Sequence, residues 1–309
     1  MNGLLVLDKP GGLTSREALD RVKRWFPKRT KIGHTGTLDP LATGVLVVCV
    51  GSATRLADHV QAMGKSYDSR FRLGATSTTD DADGEIRVNE SATAPSRERI
   101  EAALAEFIGL VEQMPPAFSA LKVGGRRAHD LARKGDAVPL AARPVVIHSI
   151  RVLRYEWPHL EVAIDCGKGT YIRSIARDLG AKLGIGGFVD TLRRTRVGPF
   201  APDRGVTIDA AREEAQAKLL PLVAALGDMP QLRITAEQEV KLRQGQTIPS
   251  ERAAGEVAIL NERGGLIAIA DANRGLHPRI VLAHESCSIE SPQKLASVSS
   301  EVSQNSPGP

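Results

Sequence analysis

Val45–Val50 is an unbroken apolar run of strand length, and Gly3–Leu7 is a second one near the start of the chain. Tyr67–Leu73 alternates apolar and polar positions, as a strand with one covered face does. Val145–Tyr155 and Leu160–Cys166 predict two strands paired across a turn at Trp157-Pro158, and Ile86 and Val88 continue a hairpin after Asp83-Gly84. Helical spacing appears elsewhere. Thr14 or Ser15 caps a helix predicted to run through Phe26, with Arg16, Arg21, Lys23 and Arg24 on its polar side. Thr54–Met63 predicts a short helix. Ser96 caps an amphipathic helix to Phe107 that turns Arg99, Glu101 and Glu106 outward, and Thr170–Leu183 predicts a helix stopped by Gly184. Strands and helices mix without a strict βαβ rhythm, which favours an α+β domain over a doubly wound fold.

A boundary is expected near Gly227–Pro230. A short helix over 236–243 follows, then strand-like runs at 256–260, 266–270 and 279–282 separated by Gly, Asn and Asp turns. From His284 the pattern disappears: 8 of the last 26 residues are Ser, with no aromatics, so 284–309 is expected to be a disordered tail. A chain of 309 residues has room for one large domain, here 1–228, and a small one, 229–283.

Composition narrows the class. With 42% hydrophobic and 25% charged residues, and no apolar run near the ~20 residues that span a bilayer, the chain reads as a soluble globular protein without a membrane segment. The N-terminal apolar run lacks a basic flank and a small-residue cleavage site, so it reads as a first strand and not as a signal peptide. Cys49, Cys166 and Cys287 are odd in number and lack metal-ligand spacing, which points to a reducing cytoplasm. No long interface helix appears, and a monomer is expected. The net charge of +5 says little by itself. Its distribution says more: between Ala117 and Arg154 eight Lys and Arg face only Asp130 and Asp136, a local +6 around the Gly124-Gly125 turn. A segment of that kind, about 115–150, suits contact with phosphates.

The candidate chemistry centres on Gly33–Gly44, GHTGTLDPLATG. Gly33, Gly36 and Gly44 permit tight backbone, and Pro40 biases Asp39 toward an extended conformation. A loop of this composition between a basic helix and an apolar strand presents its carboxylate instead of burying it in a core. Thr79–Glu90, TDDADGEIRVNE, fits an EF-hand calcium loop at several positions. Thr stands at the first ligand position, however, and the Ile86/Val88 alternation predicts a strand where an exiting helix is required. No metal is expected; Asp81 and Asp83 are expected to organise a loop beside the active site.

Several motifs, in order, resemble the TruB-type tRNA pseudouridine synthases. GLLVLDKPGGLTS (3–15) resembles that family's opening motif, and GHTGTLDPLATG its signature loop. Lys65-Ser66-Tyr67 before Leu73-Gly74, SALK (119–122), KGTYIRS (168–174) and LRRTRVG (192–198) follow at similar spacing. The resemblance covers about 3–283. One departure stands out: Thr78 occupies the position where the family's loop usually has its first Asp.

The resemblance implies a pseudouridine synthase fold, with a mixed, largely antiparallel central sheet, flanking helices and a small β-rich PUA-like RNA-binding domain. It also implies isomerisation of uridine 55 in the T-stem-loop of tRNA, without cofactor or metal. That reaction breaks the N1–C1′ bond, turns the base and joins C5 to C1′. Asp39 would be the nucleophilic carboxylate, whether it adds to C6, attacks C1′ or promotes a glycal route. Desolvation under a bound base would neutralise Asp39, and Arg173 is the implied partner that keeps it charged. Tyr67 would stack on the uracil, with stacking worth about 1–3 kcal/mol, and relay the C5 proton. Leu192 is implied as an apolar wall, Tyr171 as packing beneath the site, and His34 as a ring filling space left by extruded bases. Lys9-Pro10 would support the active-site loop, while Lys122, Arg126 and Arg127 would grip the RNA backbone. A non-catalytic RNA-binding or tRNA-folding protein is the alternative, and it makes no use of Asp39.

Overall fold

The computed structural model describes residues 1–119, 140–250 and 255–282, together with the backbone of 122–123 and 126–127. The expected tail, 284–309, lies outside the described residues. Strands β1 (Gly3–Lys9), β2 (Ile32–His34), β3 (Thr43–Val50) and β4 (Lys65–Leu73) are followed by the short hairpin β5 (Ala75–Ser77) and β6 (Ile86–Val88). Then come β7 (Gly109–Gln113), the two-residue strands β8 (Lys122–Val123) and β9 (Arg126–Arg127), β10 (Arg143–Glu156), β11 (His159–Cys166), β12 (Gly187–Val197) and β13 (Val206–Thr207). The main sheet runs β13-β1-β3-β12-β4-β11-β10-β7, with β2 on the outer part of β3. Only β1–β13 and β3–β12 are parallel, so the sheet is mixed and largely antiparallel. The helices are α1 (Ser15–Val22), α2 (Ala57–Ala62), α3 (Arg97–Ala105), α4 (Ile172–Leu183), α5 (Arg212–Ala217) and α6 (Ala236–Arg243).

The two apolar runs are buried on both faces, which is why they do not alternate. Leu5, Leu7, Leu46, Val48 and Val50 join one core with Ala18, Leu19 and Val22 of α1 and with Ile175, Ala176 and Leu179 of α4. Leu4, Val6, Val45, Val47 and Cys49 face the other way, into a core with Leu222, Ala225 and Leu226. That second core continues into a four-stranded sheet, β14 (Gln231–Arg233), β15 (Glu256–Leu260), β16 (Leu266–Asp271) and β17 (His277–Val281), through Ala258, Leu260, Leu266, Ile269 and Leu282.

Most elements start where their caps predict. Thr14 and Glu17 form a reciprocal capping box on α1. The helix stops at Val22, short of the predicted Phe26: a 3-10 turn, Lys23–Trp25, ends at an extended Phe26, as the following Pro27 requires. The predicted 54–63 helix divides into a 3-10 turn, Gly51–Leu56, and α2. Gly184 closes α4 at φ 76°, a left-handed position that favours glycine. The long strand β12 is absent from the elements that the hydrophobic pattern predicts, and it lies between β3 and β4 at the middle of the sheet.

Candidate active site

The loop from Thr35 to Ala42 joins β2 to β3 and is tied at several points. Thr35 donates its backbone N–H to Val47 O at 3.0 Å, and Ala42 donates to Asp39 O at 3.1 Å, closing a tight turn around Pro40. Ser15, the first residue of α1, accepts from Leu38 N at 2.8 Å and donates its hydroxyl to Leu38 O at 2.9 Å. Gly12 N donates to Pro40 O at 2.9 Å. The Lys9 ammonium, fully buried, donates to Pro10 O (2.8 Å), Leu13 O (2.7 Å) and, more weakly, Pro40 O (3.4 Å). Burial pulls the Lys9 pKa down to about 8, with the Asp39 carboxylate resisting. The Lys9-Pro10 pair thus sits under the loop where the sequence reading puts it.

Arg173, on the first turn of α4 and 4% exposed, lies over this loop. Its Nη2 donates to Asp39 Oδ1 at 3.1 Å and to Phe118 O at 2.9 Å, and its Nη1 donates to Thr79 O at 2.9 Å. Nε is 3.0 Å from Asp39 Oδ2, an ion-pair contact out of line for a hydrogen bond. Nη1 is also 3.3 Å from Asp81 Oδ2, so one guanidinium serves two carboxylates. Asp81 is held in place by the Thr79 hydroxyl (2.5 Å) and by Asp83 N (3.2 Å). Asp39 keeps 32% of its side-chain surface open to a cleft of about 670 Å³. Burial pushes its carboxyl above the usual value; Arg173 pulls it back down, and the charges of Asp81 and Asp83 push it further up.

Tyr67, Tyr171, Leu192 and Arg194 also line the cleft. Tyr67 lies on β4 opposite Arg194 of β12, and burial raises its phenol pKa against the pull of the Arg194 guanidinium beside it. Leu192, 7% exposed, is two residues away on β12. Tyr171 immediately precedes α4, where its backbone N–H and C=O are both hydrogen-bonded by the Gln113 side chain. The structure therefore brings Asp39, Arg173, Tyr67, Leu192 and Tyr171 into one cleft. His34 stands apart on β2, paired with Val48, and is not among the residues lining the cleft. Lys122, Arg126 and Arg127 fall on the small β8–β9 ladder, where Lys122 pairs with Arg127; their side chains lie outside the described residues.

The predicted calcium-like loop has other partners. Ile86–Val88 forms β6 against β5, a strand where the exiting helix of an EF-hand would be needed, and Asp81 is turned to Arg173. The Thr78 hydroxyl accepts from Glu85 N at 3.0 Å, so the residue at the departure from the family pattern closes its own loop. Sequence reading assigned no role to Arg194 or Lys65. Lys65 donates to Gln61 O and Met63 O at 2.5 and 2.6 Å, and burial lowers its pKa to about 8. A second depression, of about 660 Å³, shares Leu192 with the cleft, and two of its charged residues, Arg70 and Asp190, pair with each other at 2.6 Å.

Two family descriptions match adjoining segments of the chain. "TruB family pseudouridylate synthase (N terminal domain)" spans 23–172, and "tRNA pseudouridylate synthase B C-terminal domain" spans 173–222. The tRNA pseudouridine synthase B of Cereibacter sphaeroides is 44% identical over 288 residues, covering 90% of this chain and 95% of that protein. The chain belongs to the TruB family of pseudouridylate synthases. The Ruegeria pomeroyi protein of the same name is 42% identical, covering 92% and 96% of the two chains. Among solved structures, an H/ACA RNP bound to a substrate RNA containing 2′-deoxyuridine has a similar fold, with TM-score 0.69 at 23% identity over 91% of this chain and 85% of that one. A Cbf5-Nop10-Gar1 complex aligns with TM-score 0.67 at 26% identity, over 92% and 84%. The pseudouridine synthase fold expected from the TruB motifs is thus present. The boundary between the two family segments falls at the start of α4, inside the main domain, and the β14–β17 sheet lies beyond both segments. Among the described residues, no helix is long and apolar enough to cross a membrane.

Proposed function

We propose that this protein isomerises uridine to pseudouridine in tRNA, at position 55 of the T-loop, with Asp39 as the nucleophile. The observation that carries the reading is the Asp39–Arg173 pair at the floor of an open cleft, walled by Tyr67 and Leu192, in a chain of the TruB family. Each half of the pair needs the other. The carboxylate must be partly desolvated to react with a base taken from its stack, and desolvation alone would protonate it. Arg173 supplies a charge that cannot be lost by deprotonation, and contacts with four residues fix where it points.

In this reading the Tyr67 ring holds the extruded uracil by stacking, and Leu192 closes the apolar side of the pocket. Tyr171 packs beneath the site, and His34 takes space left by displaced bases at the entrance. Lys122, Arg126 and Arg127 contact phosphates of the T-stem-loop. The β14–β17 sheet acts as an RNA-binding module of PUA type. The reaction moves no electrons to or from the protein: the N1–C1′ bond breaks, C5–C1′ forms, the C5 proton leaves to solvent, and N1 takes up a proton in its place.

Release of tritium from tRNA carrying 5-tritiated uridine tests this, with wild type beside Asp39→Asn and with a transcript bearing cytidine at position 55. Release from the wild type alone, and only from tRNA with uridine 55, is expected. Release by Asp39→Asn would remove the carboxylate from its role. Release from the cytidine-55 transcript at the wild-type rate would move the target elsewhere. Binding of tRNA without release would favour the RNA-binding alternative.

A further inference from the structure

Arg194 is among the largest fully buried side chains, 2% exposed, and among the described residues no carboxylate pairs with it. A buried guanidinium without an anion is costly unless its donors are met and its position is needed. The donors here go to backbone carbonyls at both ends of the loop that carries Asp39. Nη2 donates to Gly36 O at 3.0 Å and Nη1 to Thr37 O at 3.4 Å, on the entering side. Nε donates to Val45 O at 2.7 Å, on the leaving side. The backbone of Arg194 closes on the same loop: it pairs in register with Gly44, and a Cβ at Gly44 (φ 99°) would come within 2.2 Å of the Arg194 carbonyl oxygen. Its guanidinium stands beside Tyr67, its partner across β4. The adjacent Arg193 points elsewhere, to a two-pronged pair with Asp8 at 2.9 and 3.0 Å.

We infer that Arg194 is a positioning residue: it closes the two ends of the Asp39 loop around one planar fork and sets that loop against Tyr67. It touches no reacting atom. Three donors in a fixed plane are what the geometry uses, and an ammonium cannot reach three separated carbonyls in that way. Its charge also reaches the neighbouring buried cations, opposing protonation of both Lys9 and Lys65. A loop held less firmly would leave the nucleophile present and RNA binding intact, while the carboxylate would spend less time in its reactive position.

The inference rests on the proposed function for its kinetic arm only. Arg194→Lys and Arg194→Ala are to be compared with wild type in three measurements: amide hydrogen exchange without RNA, equilibrium binding of tRNA, and single-turnover tritium release. Exchange at 36–45 is expected to quicken about tenfold or more in both variants, with α3 and the β14–β17 sheet unchanged. Single-turnover rates should fall about 100-fold in Arg194→Ala and only partly recover in Arg194→Lys, with tRNA binding within about threefold of wild type. If Arg194→Ala does not fold, Arg194→Lys decides. Wild-type exchange at 36–45 in a folded Arg194→Lys, or a full wild-type rate in that variant, would overturn the positioning role. So would a loss that appears in binding and leaves single-turnover rates unchanged. No release by the wild-type enzyme would count against the proposed function; the exchange result would then decide the role of Arg194 alone.

Discussion

At the scale of single residues, the site is a problem in charge. Burial raises the Asp39 carboxyl above its ordinary 3.8; Arg173, one cation between Asp39 and Asp81, opposes the rise, and the negative charges of Asp81 and Asp83 add to it. If the ionised form is the nucleophile, single-turnover rates should fall on acidification through a pKa above that value. Asp81→Asn removes one like charge, so the acid limb should move to lower pH. A limb that stays in place or moves up would show that Asp81 is not a cause of the shift. The same sign applies to stability. Between the ordinary value and the raised one, the folded chain holds a proton that the unfolded chain has released, so Asp39 favours folding as pH falls through that window and opposes it above. Asp39→Asn should therefore raise, or leave unchanged, the urea midpoint at pH 7 while abolishing turnover. Arg173→Ala should do the reverse to the urea midpoint. It leaves one buried carboxylate, Asp81, and one half-buried, Asp39, without their cation, at a cost of about 3–5 kcal/mol by urea unfolding. Loss of activity with unchanged stability would mean that Arg173 does not bear on the fold.

At the scale of elements, helix α4 and strand β12 set the site, and only the first is legible in the sequence. The α4 segment shows an apolar stripe and a glycine stop, and its Arg173 stands in a motif that points to its role. β12 reads GFVDTLRRTRV, and its period is broken twice, by register shifts at 189/191 and 194/196. Two adjacent arginines then suggest a solvated segment, whereas one of them faces Asp8 and the other is buried under the Asp39 loop. Nothing in a hydrophobic pattern marks a guanidinium that spends its donors on carbonyls remote in the chain. The continuous run at Val45–Val50 was legible for the opposite reason: its two faces meet two cores, so every position is apolar. α4 and β12 also touch through their backbones. A Cβ on Gly180 would lie 2.1 Å from Gly187 N, contact that neither backbone can relieve cheaply. Gly180→Ala gains helix propensity, worth about 1 kcal/mol on an exposed helix. Here a net loss of stability is expected, with a drop in single-turnover rate as α4 and Arg173 are pushed from the Asp39 loop. A stabilised, fully active Gly180→Ala would refute the close packing.

At the scale of the whole molecule, the sequence places a boundary near 227–230, and the described strands β14–β17 do form a sheet of their own after it. The apolar cores do not stop there. Ala258, Leu260, Leu266, Ile269 and Leu282 complete the core beneath Leu4, Val6, Val45 and Val47, on the side of β1 and β3 opposite α1. Polar ties reinforce the contact: Arg55 donates to Val281 O, and the His59 ring is 3.7 Å from Glu256. α2, which carries His59, also presents Asp58, Gln61 and Ala62 to the cleft, so one short helix faces both the small sheet and the site. A shared apolar core couples unfolding, because removing one part exposes buried surface on the other. The full chain should therefore unfold in a single transition by far-UV dichroism and by tryptophan fluorescence, both Trp25 and Trp157 lying in the main domain. A chain ended at residue 228 should melt well below the full chain and bind a hydrophobic dye, even though every residue of the Asp39–Arg173 pair remains. Ile269→Asp in the full chain tests the same contact without truncation. It sets a carboxylate in that core and should lower the main domain's transition along with that of the small sheet. Two separate transitions, with the first confined to the small sheet and the main domain melting at its original temperature, would show that the boundary read from the sequence is also a boundary in energy.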